Sequence, residues 1–311
     1  MESLLCSTGP ASVVSVHSTS ATSTTTKWRN VAMACPAPAR LAIHLASSAS
    51  VSQVLTNRTD FLSMSRRTSL PRETRCEAGA DLEEPVTVDN STVLVVGGGG
   101  VGMETVRVLA KAGSWVTAYQ RNEKFRPEIE GLGSMLALGD VLDVATIEKV
   151  LRSNSFDAIV CTVGGGTTHP EVDKDGPINL ANAAKKAGVK RFIMISSVGA
   201  GDSVKAVDDK TLAVLKTVLE AKEVAEEAVK SSGLSYTIIR PGGLLAAPPT
   251  GNGILTENSG VSGLISRADV ASLVMKVLFN EKSYGKTVTA IDQDKLLPPT
   301  TSLDGVELLN L

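Results

Sequence analysis

Residues 92–113 read TVLVVGGGGVGMETVRVLAKAG. The first five residues are β-branched or aliphatic, with no polar alternation after Thr92, which suits a parallel strand covered on both faces. Glycines 97–100 and Gly102 follow at once. Residues 103–112 then place Val106, Leu109 and Ala110 at helical spacing, and Gly113 stands where a helix ends. Gly97, Gly99 and Gly102 fit G-x-G-x-x-G between a buried strand and a helix. Each has a physical task. Gly97 permits the tight exit from the strand, Gly99 exposes bare backbone to a pyrophosphate, and Gly102 lets the helix lie against the sheet. The N–H groups of the helix start, from Gly100 and Val101 onward, then face the phosphates. The stretch is therefore read as a dinucleotide-binding turn.

The second strand, residues 115–119, tests which dinucleotide. An NAD-specific turn of this kind places Asp or Glu about 20 residues on, against the ribose hydroxyls. Here the strand runs into Tyr119, Gln120, Arg121 and Asn122, with no acid. The planar fork of Arg121 suits a 2′-phosphate, with Lys124 as a second cation nearby. NADP(H) is the expected cofactor.

Further strands are expected at 134–138, 157–161, 190–195, 235–240 and 286–291. Helices are expected at 142–151, 178–187, 207–230 and 267–280. The fourth strand ends in Thr162, Val163 and glycines 164–166, which lets the chain pass close to a cofactor. Residues 167–175 are expected as a polar loop and 244–263 as a Gly/Pro-rich loop over a substrate cleft. Alternating strands and helices define an α/β, Rossmann-like, doubly wound parallel sheet with a small C-terminal substrate-side region.

Composition divides the chain. Of the first 76 residues, 24 are Ser or Thr; that segment carries a net charge of +5 and the remainder −7. The Ser/Thr-rich, acid-poor segment 1–76 has the character of a chloroplast transit peptide, with a mitochondrial leader or a retained tail as alternatives. Residues 77–311 form the expected domain, with its sheet core at 91–291. The acidic balance there argues against nucleic acid as partner. No run of 18 apolar residues occurs, so no transmembrane segment is expected. Cys161 is the one cysteine well inside the domain, and neither disulfide nor metal spacing is present.

Taken together, several motifs resemble the NAD(P)H-binding, NmrA-like branch of the atypical short-chain dehydrogenase/reductase superfamily. They are the glycine turn, GDV at 139–141, GPINLANAAKKAGVKRFIMISSVGA at 176–200, AKEVAEEAVKSSGLSYTIIRPGGL at 221–244 and ISRADVASLVMKVL at 265–278. The resemblance implies that Asp140 and Val141 flank the adenine, and that Arg121 holds the 2′-phosphate. It also implies that Thr162, Val163 and Gly164 line the ribose and nicotinamide side, and that Pro241 and Gly242 border the nicotinamide. Plant members of this branch are chloroplast proteins, including a translocon subunit and photosystem assembly factors.

Two departures stand out. The glycine turn is one residue shorter than the G-A-T-G-x-x-G form of the branch. The Tyr-x-x-x-Lys pair of active members is broken: Lys222 takes the Lys position, and Val218 stands where Tyr belongs. Valine passes no proton. Lys222 and Ser197 remain as candidate catalytic groups, with Lys222 also placed to hold ribose hydroxyls. His169 reads as a solvated loop residue and Cys161 as a core residue. Two functions stay open. One is an NADPH-dependent reductase of a small molecule. The other is a non-catalytic NADP(H)-binding sensor or scaffold within a chloroplast complex. The long helix at 207–230 offers a possible homodimer surface.

Overall fold

The structure, a computed structural model, describes residues 85–311. The segment read as a leader lies outside them. Strand β1 (Thr92–Val96) carries Val93 and Val95 into the core on one face of the sheet, and Leu94 and Val96 into that on the other. Burial on both faces is why the strand is apolar without alternation. Helix α1 (Gly100–Lys111) follows and returns the chain to β2 (Trp115–Gln120). A one-and-a-half-turn helix, α2 (Arg126–Gly131), precedes β3 (Met135–Leu138). It has Pro127 in its first turn and one buried residue, Ile129. So short a segment carries no periodic stripe, and the sequence gives no sign of it.

Asp143 caps α3 (Val144–Ser153) by accepting the Ala145 N–H, and β4 (Ala158–Cys161) comes next. Helix α4 spans Pro170–Ala187 and closes at Gly188, a left-handed residue with φ of 79°. It corrects the expected polar loop, because the helix starts eight residues earlier than its apolar stripe. Pro170 is fixed for the first turn, and Glu171 and Asp173 favour the positive end of the dipole. Pro177 sits inside this helix.

Strand β5 (Arg191–Ile195), helix α5 (Asp209–Ser231) and strand β6 (Ser235–Pro241) complete the second half. Asp208 caps α5 through the Lys210 and Thr211 N–H groups. The segment 244–263 is not wholly irregular, which is a second correction. It contributes to β7 (Gly243–Leu245) and contains β8 (Gly253–Thr256), with β9 (Leu264–Ser266) just beyond it. Their side chains are few and mixed, so pairing with distant partners, not local pattern, makes them strands. Helix α6 (Arg267–Val277) and strand β10 (Lys286–Asp292) end the core.

The main sheet has the order β3-β2-β1-β4-β5-β6-β10-β8. All pairs are parallel except the edge strand β8, which runs antiparallel to β10. Strands β7 and β9 form a separate two-stranded parallel sheet. Helices α1 and α6 cover one face, and α3, α4 and α5 the other. The strand order reverses between β1 and β4, and the crevice above that reversal is where open α/β sheets take ligands.

One carboxylate ties the loop before β8 to helix α6. Asp269, 2% exposed, accepts hydrogen bonds from the N–H groups of Thr250 (2.9 Å) and Gly251 (2.9 Å) and from the Ser266 hydroxyl (2.7 Å). Ser266 Oγ in turn accepts the Asp269 N–H at 2.9 Å, which caps α6. Burial opposes the charge, but these donors hold the carboxyl below its usual range. A lowered folded pKa contributes stability that is present above the unfolded carboxylate pKa and lost as pH falls through the folded value. Asp269→Ala orphans two backbone donors and is expected to cost about 1–3 kcal/mol. Urea unfolding at pH 7 checks this, and the deficit should shrink as the pH is taken below 4.

Candidate functional site

The glycine turn has a left-handed residue at its entrance. Gly97 has φ of 126°, a region that side chains avoid. A Cβ there would also lie 2.5 Å from Thr162 Oγ1, which donates to the Val96 carbonyl at 2.9 Å. A Cβ on Gly102 would lie 2.3 Å from the Gly97 carbonyl oxygen. The first turn of α1 therefore lies directly on the end of β1. Gly99 occupies the N-cap position, where no side chain caps the helix. A Cβ on Gly99 would meet nothing within 4 Å, so this backbone faces open space among the described residues. The uncapped N–H groups and positive helix end can accept an anion.

A cavity of about 300 Å³ opens beside this turn. Gly97, Gly98 and Gly99 form one wall; Gln120, Arg121 and Asn122 another; Val141, Thr162, Val163, Gly164 and Val172 the third. Seven of the residues singled out from the sequence thus share one cavity: Gly97, Gly99, Arg121, Val141, Thr162, Val163 and Gly164. Gly100, Val101 and Gly102 lie in the adjoining helix turn. Asp140 is not on the lining, and its Oδ1 accepts the Leu142 N–H at 3.0 Å. Lys124 is not on the lining either; its ammonium lies 5.1 Å from the centroid of the Phe125 ring.

Three further wall residues were given no role in the sequence reading. Tyr119 is buried, with its hydroxyl 2.7 Å from Thr146 Oγ1 and donating to the Asp140 carbonyl at 3.0 Å. Gly139 has to be small because a Cβ there would lie 2.3 Å from that hydroxyl. Gln120 is 3% exposed; its Nε2 donates to Met103 Sδ at 3.2 Å, while Oε1 has no partner. That oxygen is sealed from solvent, a polar atom left unsatisfied behind the wall.

Asp173 is the main residue that sequence reasoning missed. It is 1% exposed and accepts the N–H groups of Gly165 (2.8 Å) and Gly166 (3.2 Å) through Oδ2. Its Oδ1 meets Lys222 Nζ at 2.8 Å. Helix α4 thus pins the glycine-rich end of β4, and Lys222, 8% exposed, is engaged in that pair. Three turns of α5 place Leu215, Val218 and Lys222 along one side of the helix. Val218 is buried, and no hydroxyl or imidazole takes its place.

Ser197 lies elsewhere. It lines a second cavity of about 550 Å³, with Val198, Val207, Leu215, Gly242, Gly243, Leu264, Leu297 and Pro298 among its neighbours. Its hydroxyl donates to the Val198 carbonyl at 3.0 Å. The polar side chains on this lining are Ser197, Asp208, Thr211 and Ser262; no Lys, Arg or His is among them. Pro241 is the buried last residue of β6, and Gly242 begins the cavity wall. Strands β4, β5 and β6 are neighbours, so the two cavities follow one another along the same sheet edge.

His169 is exposed and hydrogen-bonds Glu171 at 3.0 Å, at the start of α4. Cys161 is buried, and desolvation pushes its thiol up to about 11, so it is neither thiolate nor nucleophile at neutral pH. Among the described residues no cluster of His, Cys, Asp and Glu could hold a metal, and no helix is long and apolar enough to cross a membrane.

A doubly wound sheet with an uncapped glycine turn at its switch point defines a dinucleotide-binding Rossmann-type protein. Residues 97–281 match the NAD(P)H-binding family. The chain belongs to that family, in the NmrA-like branch of the atypical short-chain dehydrogenase/reductases. It is 33% identical to the uncharacterized sugar epimerase YhfK of Bacillus subtilis over 184 residues, 58% of this chain and 83% of that protein. It is 31% identical to the uncharacterized chloroplastic protein At2g34460 of Arabidopsis thaliana over 217 residues, 66% of this chain and 78% of that one. Among solved structures it is similar to ChuY, an anaerobilin reductase from Escherichia coli O157:H7. The TM-score is 0.59 at 28% identity, covering 68% of this chain and all of ChuY.

Proposed function

We propose that this chain is an NADPH-dependent reductase of a small, apolar carbonyl-type compound in the chloroplast. One observation carries the reductase reading. A second, largely apolar cavity opens at the ends of β5 and β6, next along the sheet edge from the dinucleotide crevice. Gly242, expected beside the nicotinamide, lies on its wall, so a molecule held there would meet the ring. Its lining offers no cation, so it suits an uncharged substrate better than a carboxylate or phosphate. The reductase named among the similar structures and the chloroplastic Arabidopsis relative support the activity class and the location.

The residues fit the cofactor. Gly97, Gly99, Gly100, Val101 and Gly102 present bare backbone for the pyrophosphate, and Gln120 has an unpartnered amide atom in the same wall. Arg121 ends β2 where an acid would select NAD, and it pairs with the 2′-phosphate. Val141, on the crevice wall, flanks the adenine, and Asp140, off the wall, braces the turn before it through the Leu142 N–H. Thr162, Val163 and Gly164 line the ribose, with Pro241 and Gly242 toward the nicotinamide. The nicotinamide ring, when bound, supplies the hydride. The Asp173–Lys222 pair holds the end of β4 rigid, and the Lys222 charge favours ribose hydroxyls nearby. Ser197 can turn its hydroxyl from the Val198 carbonyl to a developing oxyanion. It does not supply the proton, which comes from water or from an acidic group of the substrate.

Val218 and the engaged Lys222 favour a second reading, a non-catalytic NADP(H) sensor or scaffold. Val218→Tyr separates the two: the enzyme reading expects faster reduction of simple apolar aldehydes, and no gain with intact NADPH binding supports the scaffold. The cofactor reading is tested by calorimetry with NADPH and NADH. Arg121→Ala is expected to weaken NADPH by about tenfold or more, the loss of one charge-assisted phosphate contact. NADH affinity should stay nearly unchanged. Equal loss for both nucleotides would remove Arg121 from the 2′-phosphate site.

A further inference from the structure

Seven arginines lie in residues 85–311: Arg107, Arg121, Arg126, Arg152, Arg191, Arg240 and Arg267. Five are engaged. Arg107, Arg126, Arg152 and Arg240 pair with carboxylates, and Arg191 donates to the Leu278, Ser235 and Val277 carbonyls. Arg121 and Arg267 have no hydrogen bond or ion pair among the described residues. Arg121 lines the dinucleotide crevice. Arg267 belongs to the other end of the chain and is not on that lining, yet it reaches the glycine turn. A Cβ built on Gly100 would lie 2.4 Å from Arg267 Cδ and 2.9 Å from its Nε. The arginine stem therefore crosses the first turn of α1, at the helix's first residue.

We infer that Arg267 is a further anchor for the cofactor's pyrophosphate, delivered to the glycine turn from helix α6. The inference rests on the dinucleotide reading above. An unpaired guanidinium beside the positive end of a helix is repelled by it, and α1 has no acid in its first turn to compensate. A pyrophosphate between the two satisfies both. Gln120, on the crevice wall, also has an unpartnered Oε1, buried beneath the turn. Its would-be neighbour is Gly98, whose built Cβ lies 3.4 Å from that oxygen. A side chain at Gly100 would push this arginine aside.

The position of Arg267 gives the contact a second consequence. Arg267 begins α6 directly after β9. Ser262, Gly263 and Leu264, three to five residues earlier, form a wall of the second cavity, and Leu264 pairs with Gly243 on the same wall. A ligand that fixes Arg267 thereby fixes the segment that shapes the substrate cavity. Binding of the nucleotide orders the substrate site through this short stretch.

The experiment uses the full chain with NADPH, NADH and ADP, and compares Arg267→Met, Arg267→Lys and Arg121→Ala. Methionine keeps a stem over Gly100 and removes the charge. Because the pyrophosphate is common to all three ligands, Arg267→Met is expected to weaken all of them by about tenfold or more, with lysine intermediate. The melting temperature without ligand should not move. Hydrogen exchange at 262–266 should slow on adding ADP to the unmodified chain and not in Arg267→Met. Unchanged affinities in Arg267→Met, or a loss confined to NADPH, would overturn the inference and leave the cofactor reading standing. No binding by the unmodified chain would overturn both.

Discussion

Everything at the site depends on one close approach. The first turn of α1 rests on the carbonyl of Gly97, and a methyl group on Gly102 would sit 2.3 Å from that oxygen. This contact sets the angle between strand and helix and aims the uncapped N–H groups of α1 across the end of the sheet. It also brings the strand end of β4 into the same space, because Thr162 hydrogen-bonds the Val96 carbonyl while crowding Gly97. The crevice is thus built from backbone, and its shape tolerates no side chain at the two contact points.

Around that contact, buried charges fix the loops that the sheet leaves free. Asp173 and Lys222 tie α4, α5 and the end of β4 together. One strand further along, Glu226 on α5 accepts from the Ser196 hydroxyl and from Arg240 at 2.6 Å, and Arg240 reaches Asp202 on the far side. The two clusters leave α5 with polar groups that work as fasteners. The charge of Lys222 is balanced by Asp173, and Val218, one turn earlier on α5, is buried and carries no proton.

The sequence was legible where local chemistry and fold agree. Thr92–Val96 is apolar throughout because both faces are covered, and its glycines sit where the backbone turns. The doubly wound sheet followed from that pattern repeated. What stayed hidden was decided by distant partners. Residues 170–175 look like a loop because their polar side chains outnumber apolar ones, but Asp173 is buried by Lys222, 49 positions later. Strand β8 has four residues and exists because β10 offers an edge. Arg267 stands in a helix start 167 positions after Gly100. Only the packing of α6 against α1 brings the two together.

The central claim is that the Gly97–Gly102 backbone binds a dinucleotide pyrophosphate. Amide chemical shifts measured while NADPH is titrated into the protein test it most directly. The structure predicts the largest changes at the N–H groups of Gly98, Gly99, Gly100 and Val101, with Arg121 and Gly164 next. Saturable binding whose changes fall elsewhere and leave the glycine amides unmoved would contradict it.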